Sequence, residues 1–268
     1  MSVHVSSQGQ GPRVIALHSG GMSGRQWRRL AERLQGSFRV VLPDFLGSGD
    51  NPLWSDDADF HWSMDADEIE RILLAEAGGA HLVGHSYGGL IAVSVAQRHP
   101  QAVRSLTVYD AVAMGVLHDK GDPEALADLS RTDGIATDDA HGGGEAWLQA
   151  FVDWWNGPGA WAALPDSTRA AFLRVGRKVY YEVRSLLADR TPASAYARIG
   201  SPALVLSGER SPLAARRAGE LLAASMPAGR QLVIAGAGHM GPITHANEVN
   251  EAIAAHIAAA EHSFPAGD

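Results

Sequence analysis

The feature that most limits what this chain can fold into is a recurrence: six short aliphatic runs separated by amphipathic stretches along 268 residues. The runs are Arg13 to Leu17, Phe38 to Leu42, Ala80 to Val83, Ser105 to Tyr109, Ala203 to Leu206 and Gln231 to Ile234. Apolar residues on both alternating sets suit strands buried on two faces in a parallel sheet. Helical periodicity is readable over Gly24 to Leu34, Ser63 to Ala77, Tyr87 to Arg98, Leu213 to Ser225 and Asn247 to Ala260. Strand, helix, strand repeated in this way predicts right-handed crossovers and an α/β fold with a mostly parallel, doubly wound sheet. Val3 to Ser7 is a candidate for one added antiparallel edge strand.

One segment breaks the alternation. From Ala111 to about Ala195 no strand-like run occurs, so the chain reads as a core formed by residues 1–110 and 196–268 with a helical insertion at 111–195. The stretches "HDKGDP", "HGGGE" and "NGPG" predict that the insertion is split into several short helices. It carries Trp147, Phe151, Trp154, Trp155, Trp161, Phe172, Tyr180 and Tyr181. The larger part of these aromatics is expected to form the insertion's own core, and the rest to line a pocket.

Composition enters by exclusion. No cysteine is present, which removes disulfides, thiolate metal sites and a cysteine nucleophile. A formal net charge of −8 supplies no basic face for nucleic acid or an anionic membrane, so neither is expected as a partner. No apolar run is long enough to cross a bilayer, and the first twelve residues lack a basic start and an apolar stretch, so a soluble, cytoplasmic protein is expected.

The stretch "LVGHSYGGL" sits at a strand-to-helix joint, with Ser86 between Gly84 and Gly88. A G-x-S-x-G pattern in that context presents a serine hydroxyl at a strained turn, the glycines letting helix and strand pass closely. The N–H of Tyr87, at the helix N-terminus, is placed to stabilise an oxyanion. A serine needs a base, and the base needs an orienting acid. Among twelve histidines, His239 stands out in the glycine-rich "VIAGAGHMGP" just beyond the last strand. His85 reads as structural, while His61, His245 and His256 read as surface or capping residues. Two carboxylates obey the chain order Ser, acid, His: Asp110 at the end of "LTVYD" and, as the alternative acid, Glu209 in "SGERSPL".

Taken together, "LHSGG", "DFLGSG", "VGHSYGGL", "RHPQAVRSLTVYD", "LSGERSPL" and "GAGHMGP" resemble the α/β-hydrolase superfamily with a cap, over nearly the whole chain. The resemblance implies that 111–195 is the cap or lid, and that the second oxyanion donor is the N–H of Gly20. It also implies that Asp44, Gly47 and Gly49 are architectural. In most members the acid stands at the "G-x-x-D" position after the penultimate strand, which is Ser211 here; the departure shifts the expectation to Asp110, with Glu209 kept open.

The expected activity is hydrolysis of a carboxylic ester, or a related acyl bond such as a lactone or thioester, in a small-molecule substrate through a Ser-His-Asp triad. No metal or organic cofactor is implied. A serine at the elbow argues against haloalkane dehalogenase and epoxide hydrolase chemistry, which use an aspartate there. Carbon–carbon bond hydrolysis and peracid formation use the same triad and stay open. A different class, a receptor-like ligand-binding protein on the hydrolase fold, also stays open.

Overall fold

A computed structural model of the chain describes residues 3–55 and 59–263. Its elements run β1 (Val5–Gln8), β2 (Arg13–Leu17), α1 (Arg28–Leu34), β3 (Arg39–Pro43), α2 (Trp62–Leu74), β4 (Ala80–His85), α3 (Tyr87–Arg98) and β5 (Val103–Tyr109). Five helices follow: α4 (Gly115–Lys120), α5 (Pro123–Ser130), α6 (Asp133–Thr137), α7 (Glu145–Asn156) and α8 (Asp166–Leu187). The chain then returns through β6 (Ala203–Gly208), α9 (Leu213–Ser225), β7 (Gly229–Ile234), α10 (Gly241–Thr244) and α11 (Ala246–Ser263). The seven strands form one sheet in the order β1-β3-β2-β4-β5-β6-β7. Only β1 is antiparallel, pairing Val5 with Pro43 through Gln8 with Val40.

The period of two along each strand decides which residues meet which helices. Ile15, Leu17, Leu82, Leu106, Val108 and Val205 pack with Ile69 and Leu73 of α2 and with the apolar faces of α3 and α9. Their neighbours Val14, Ala16, Val83, Leu204 and Leu206 point the other way, onto Leu30 and Leu34 of α1 and Ile253 and Ile257 of α11. Ile69, Leu73, Ile253 and Ile257 are each at most 1% exposed. Burial of a side chain of this kind contributes roughly 1.5–3 kcal/mol, which is what fixes the helices to the sheet.

Three expectations change. The strand β7 is largely exposed, because it is the sheet's outer edge: Leu232 and Val233 lie open. The segment between β5 and β6 is wholly helical among the described elements, but its longest helix, α8, runs 22 residues instead of breaking into short pieces. Its apolar stripe, Val175, Val179 and Val183, packs on Trp147, Leu148 and Trp161, giving this layer its own core. His256 is buried against the sheet, its Nε2 3.3 Å from the Pro202 carbonyl oxygen, and is no surface residue.

Candidate active site

The joint between β4 and α3 explains the glycine spacing around Ser86. Ser86 takes φ 54° and ψ −117°, a conformation costing of order 1–3 kcal/mol for a residue with a Cβ. It is held there by its own backbone: the N–H donates to the Tyr109 carbonyl at 2.9 Å, and the carbonyl accepts from Gly89 at 2.9 Å and Leu90 at 3.1 Å. A Cβ on Gly84 would stand 2.3 Å from the Gly88 oxygen, and one on Gly88 2.4 Å from the His18 oxygen. Neither position has room for anything but hydrogen. The turn therefore exists only with these two residues, and it lifts the hydroxyl off the end of the sheet.

His239 reaches that hydroxyl from the loop after β7. Its Nε2 is 3.0 Å from Ser86 Oγ, and its Nδ1 is 3.1 Å from Asp110 Oδ2. Asp110 follows β5 at φ 42°, a second strained position, pinned by its N–H donating to Leu206 O at 2.9 Å. The Ser211 hydroxyl donates to the same Asp110 Oδ2 at 2.5 Å. Glu209 lies elsewhere: it is exposed, and its Oε2 accepts from the Gly236 N–H at 2.7 Å. The geometry joins Asp110, not Glu209, to the imidazole.

Burial acts on both members of the pair. It pushes the His239 imidazole down and the Asp110 carboxyl up, and the Ser211 hydrogen bond pulls the carboxyl back toward ionisation. A neutral imidazole leaves Nε2 free to accept a proton from Ser86 if Nδ1–H faces Asp110, the arrangement these distances fit.

His85 and Gln26 tie the site's two loops together. The His85 Nε2–H donates to the His239 carbonyl at 2.8 Å, and its Nδ1 accepts from Gln26 Nε2 at 2.9 Å. Gln26 Oε1 in turn accepts from the Ser19 N–H at 2.9 Å. Burial pushes His85 down to about 3, so it stays neutral and its tautomer is fixed by these partners. Next to Ser19, Gly20 stands beside Tyr87: a Cβ built on Gly20 would be 3.8 Å from the Tyr87 Cβ. Asp44 holds the neighbouring loop, accepting from the N–H groups of Gly24 at 2.7 Å and Asp50 at 2.9 Å.

A cavity of about 510 Å³ opens over Ser86 and His239, floored by the sheet end and roofed by α7 and α8. Of the eight aromatics in the inserted segment, Phe151, Trp154, Trp155 and Phe172 line it, so the pocket takes half of them and not the smaller share expected. The ring of Trp155 stacks on the His239 imidazole with centroids 3.7 Å apart and planes 21° from parallel. A wider groove of about 1220 Å³ adjoins the cavity and shares Trp154, Trp155 and Met240 with it. Beneath α8, Lys178, Glu182 and Asp65 form a buried charged cluster. Gln26 and this cluster were not legible as site residues; Ser211 carried a local signal as the serine at the "G-x-x-D" position, and Trp155 only as one of the inserted segment's aromatics.

Among the described residues, His4, Asp44 and Asp50 bring donor atoms close enough to share a cation. They lie at the far side of the Asp44 loop, and the Asp44 oxygens are already used by Gly24 and Asp50.

The sequence matches the family described as alpha/beta hydrolase fold over residues 12–246. A relative from Chromobacterium violaceum, named pimeloyl-acyl-carrier-protein methyl ester esterase, is 30% identical over 260 residues, covering 96% of this chain and 98% of the relative. The fold is shared with a thermophilic esterase from Thermogutta terrifontis, at TM-score 0.73 and 21% identity, covering 96% of this chain and 93% of the other. It is also shared with an enol-lactonase from Burkholderia xenovorans, at TM-score 0.71 and 20% identity, covering 96% of each chain.

Proposed function

This chain belongs to the α/β-hydrolase family, and from that premise we propose that it hydrolyses a carboxylic ester or related acyl bond through an acyl-enzyme on Ser86. The observation that carries the reading is the hydrogen-bonded line from Ser86 Oγ through both His239 nitrogens to Asp110. A binding protein has no use for a base and a buried acid aligned on a strained serine. The full-length relative named for a methyl ester supports an ester as the bond cleaved.

In the first half-reaction Ser86 Oγ attacks the carbonyl carbon as its proton passes to His239 Nε2. Asp110 holds Nδ1–H toward itself and offsets the charge of the imidazolium. The first N–H groups of a helix lack intrahelical acceptors, so the Tyr87 N–H is one donor for the tetrahedral oxyanion, and the Gly20 N–H is the other. Collapse expels the alcohol, which takes its proton from His239. Water then repeats the sequence on the acyl-enzyme and releases the acid. The segment 111–195 serves as a cap over the core of residues 1–110 and 196–268, excluding water and shaping the acyl pocket.

The test is labelling with a fluorophosphonate probe beside turnover of p-nitrophenyl esters. Stoichiometric labelling at Ser86, lost together with turnover in Ser86→Ala, is the expected result. A folded protein that neither labels nor turns over any ester would instead be a binder on this fold.

A further inference from the structure

The cavity's walls are largely apolar, and the one carboxyl group among its lining side chains is that of Glu182 on α8. Glu182 is 1% exposed, and its two oxygens have different surroundings. Oε1 accepts a hydrogen bond from Lys178 Nζ, one turn earlier on the same helix. Oε2 has no hydrogen-bond partner among the described residues and stands against the loop at Gly20: a Cβ there would lie 2.6 Å from it. The absence of a side chain at Gly20 lets the carboxyl group approach this loop closely.

The neighbours cannot complete Oε2. Lys178 Nζ also donates to Asp65 Oδ2 at 2.8 Å, and its remaining surroundings are the faces of Phe60, Tyr87 and Phe45. Asp65 is itself filled, accepting from the Tyr87 hydroxyl at 2.7 Å and the Leu46 N–H at 2.8 Å. One cation therefore serves two buried carboxyls, and the pairing of Lys178 with Asp65 leaves Glu182 as the surplus. A carboxyl oxygen that meets no protein donor beside a largely apolar cavity is placed to accept a hydrogen bond from a ligand. In its ionised form the carboxyl, beside the proposed oxyanion donors, would also oppose the reaction unless the substrate offsets its charge.

Resting on the hydrolase reading above, we propose that Glu182 selects esters bearing a hydrogen-bond donor, a hydroxyl or a protonated amine, close to the scissile carbonyl. The donor completes Oε2 when the substrate occupies the cavity. Lys178 and Asp65 are positioning residues that hold the carboxyl in place.

The experiment compares methyl butanoate with its 2-hydroxy, 3-hydroxy, 2-amino and 3-amino counterparts at pH 7, by titrating the acid released. Wild type, Glu182→Leu and Glu182→Gln are assayed on the whole series. Each donor-bearing ester is expressed as a ratio of kcat/KM to methyl butanoate within one protein, so any loss common to all substrates cancels. For at least one hydroxyl or amino ester, Glu182→Leu is expected to lower that ratio about tenfold or more, the value of a hydrogen bond to a charged group. Glu182→Gln, which keeps an acceptor but no charge, separates the sources: retained preference identifies a hydroxyl, lost preference an ammonium. Ratios unchanged in both variants, with methyl butanoate still cleaved, would overturn the proposal alone. Failure of the wild type to cleave any of the esters would overturn the hydrolase reading and this proposal with it.

Discussion

The indole of Trp155 lies flat on the imidazole of His239, with ring centroids 3.7 Å apart. Trp155 belongs to α7 and His239 to the loop after β7, so the contact ties the helical layer to the end of the sheet. An aromatic face attracts a cation stacked on it by about 0.5–2 kcal/mol. Because His239 is neutral at rest and cationic in the proposed tetrahedral intermediate, the attraction favours the latter. Trp155→Ala is expected to lower kcat on p-nitrophenyl butyrate by about 2- to 30-fold, and Trp155→Phe to retain most of it. Equal rates in all three proteins would show that the stack only fills space.

Ser211 stands at the "G-x-x-D" position, and here it donates to Asp110, which follows β5. Asp110→Asn is expected to lower kcat by on the order of 10⁴, by analogy with the triad aspartate of another fold. Glu209→Gln should leave kcat unchanged, since that side chain only caps the Gly236 N–H. Because Asp110 and Ser211 converge on one point, the double variant Asp110→Ser, Ser211→Asp is expected to regain part of the lost rate. A double variant as slow as Asp110→Asn would mean that the two positions do not share the reach to His239 Nδ1.

The contrast between these residues shows what a sequence exposes. The strands could be placed because a short run apolar on both faces, such as "RVIAL", is a local pattern, and β2 is buried along its whole length. The Ser86 turn was legible because a backbone that tight demands glycine at two fixed offsets. Asp110 was legible as a carboxylate at a strand end. Its advantage over Glu209 came only from the serine at position 211, and its contact with the imidazole rests on which loop folds back toward residue 239. Lys178 and Glu182 carry no local signal; their cluster depends on Asp65, 113 residues from Lys178. No local pattern encodes such a meeting.

Gln26 links the N–H of Ser19 to Nδ1 of His85. Replacing it with leucine leaves both buried groups without a partner, at a cost of about 1–3 kcal/mol for each group left unpaired. Gln26→Leu should therefore lower Tm, and should lower kcat more than it raises KM, because the loop it holds carries the proposed Gly20 donor. A drop in Tm with kcat intact would restrict Gln26 to a packing role.

Glu182 makes stability depend on pH in a direction its geometry sets. Burial, with Asp65 adding to it and Lys178 opposing, pushes its carboxyl up from 4.5 to about 7 in the folded chain. Below pH 4.5 folded and unfolded states both carry the proton, and nothing is lost. Between 4.5 and about 7 the unfolded chain releases a proton that the folded chain keeps, so stability falls as pH rises. Above about 7 the loss is complete, with a ceiling of about 3 kcal/mol. Glu182→Gln keeps an acceptor for Lys178 and has no proton to release. Thermal melts of the two proteins from pH 5 to pH 8.5 should thus show the variant gaining on the wild type as pH rises, with the gain levelling off at the alkaline end. Other titrating groups act alike in both proteins and cancel in the difference. A difference that stays flat across the range would mean that Glu182 ionises as readily in the fold as in the open chain, and that the surplus charge is already balanced without a substrate.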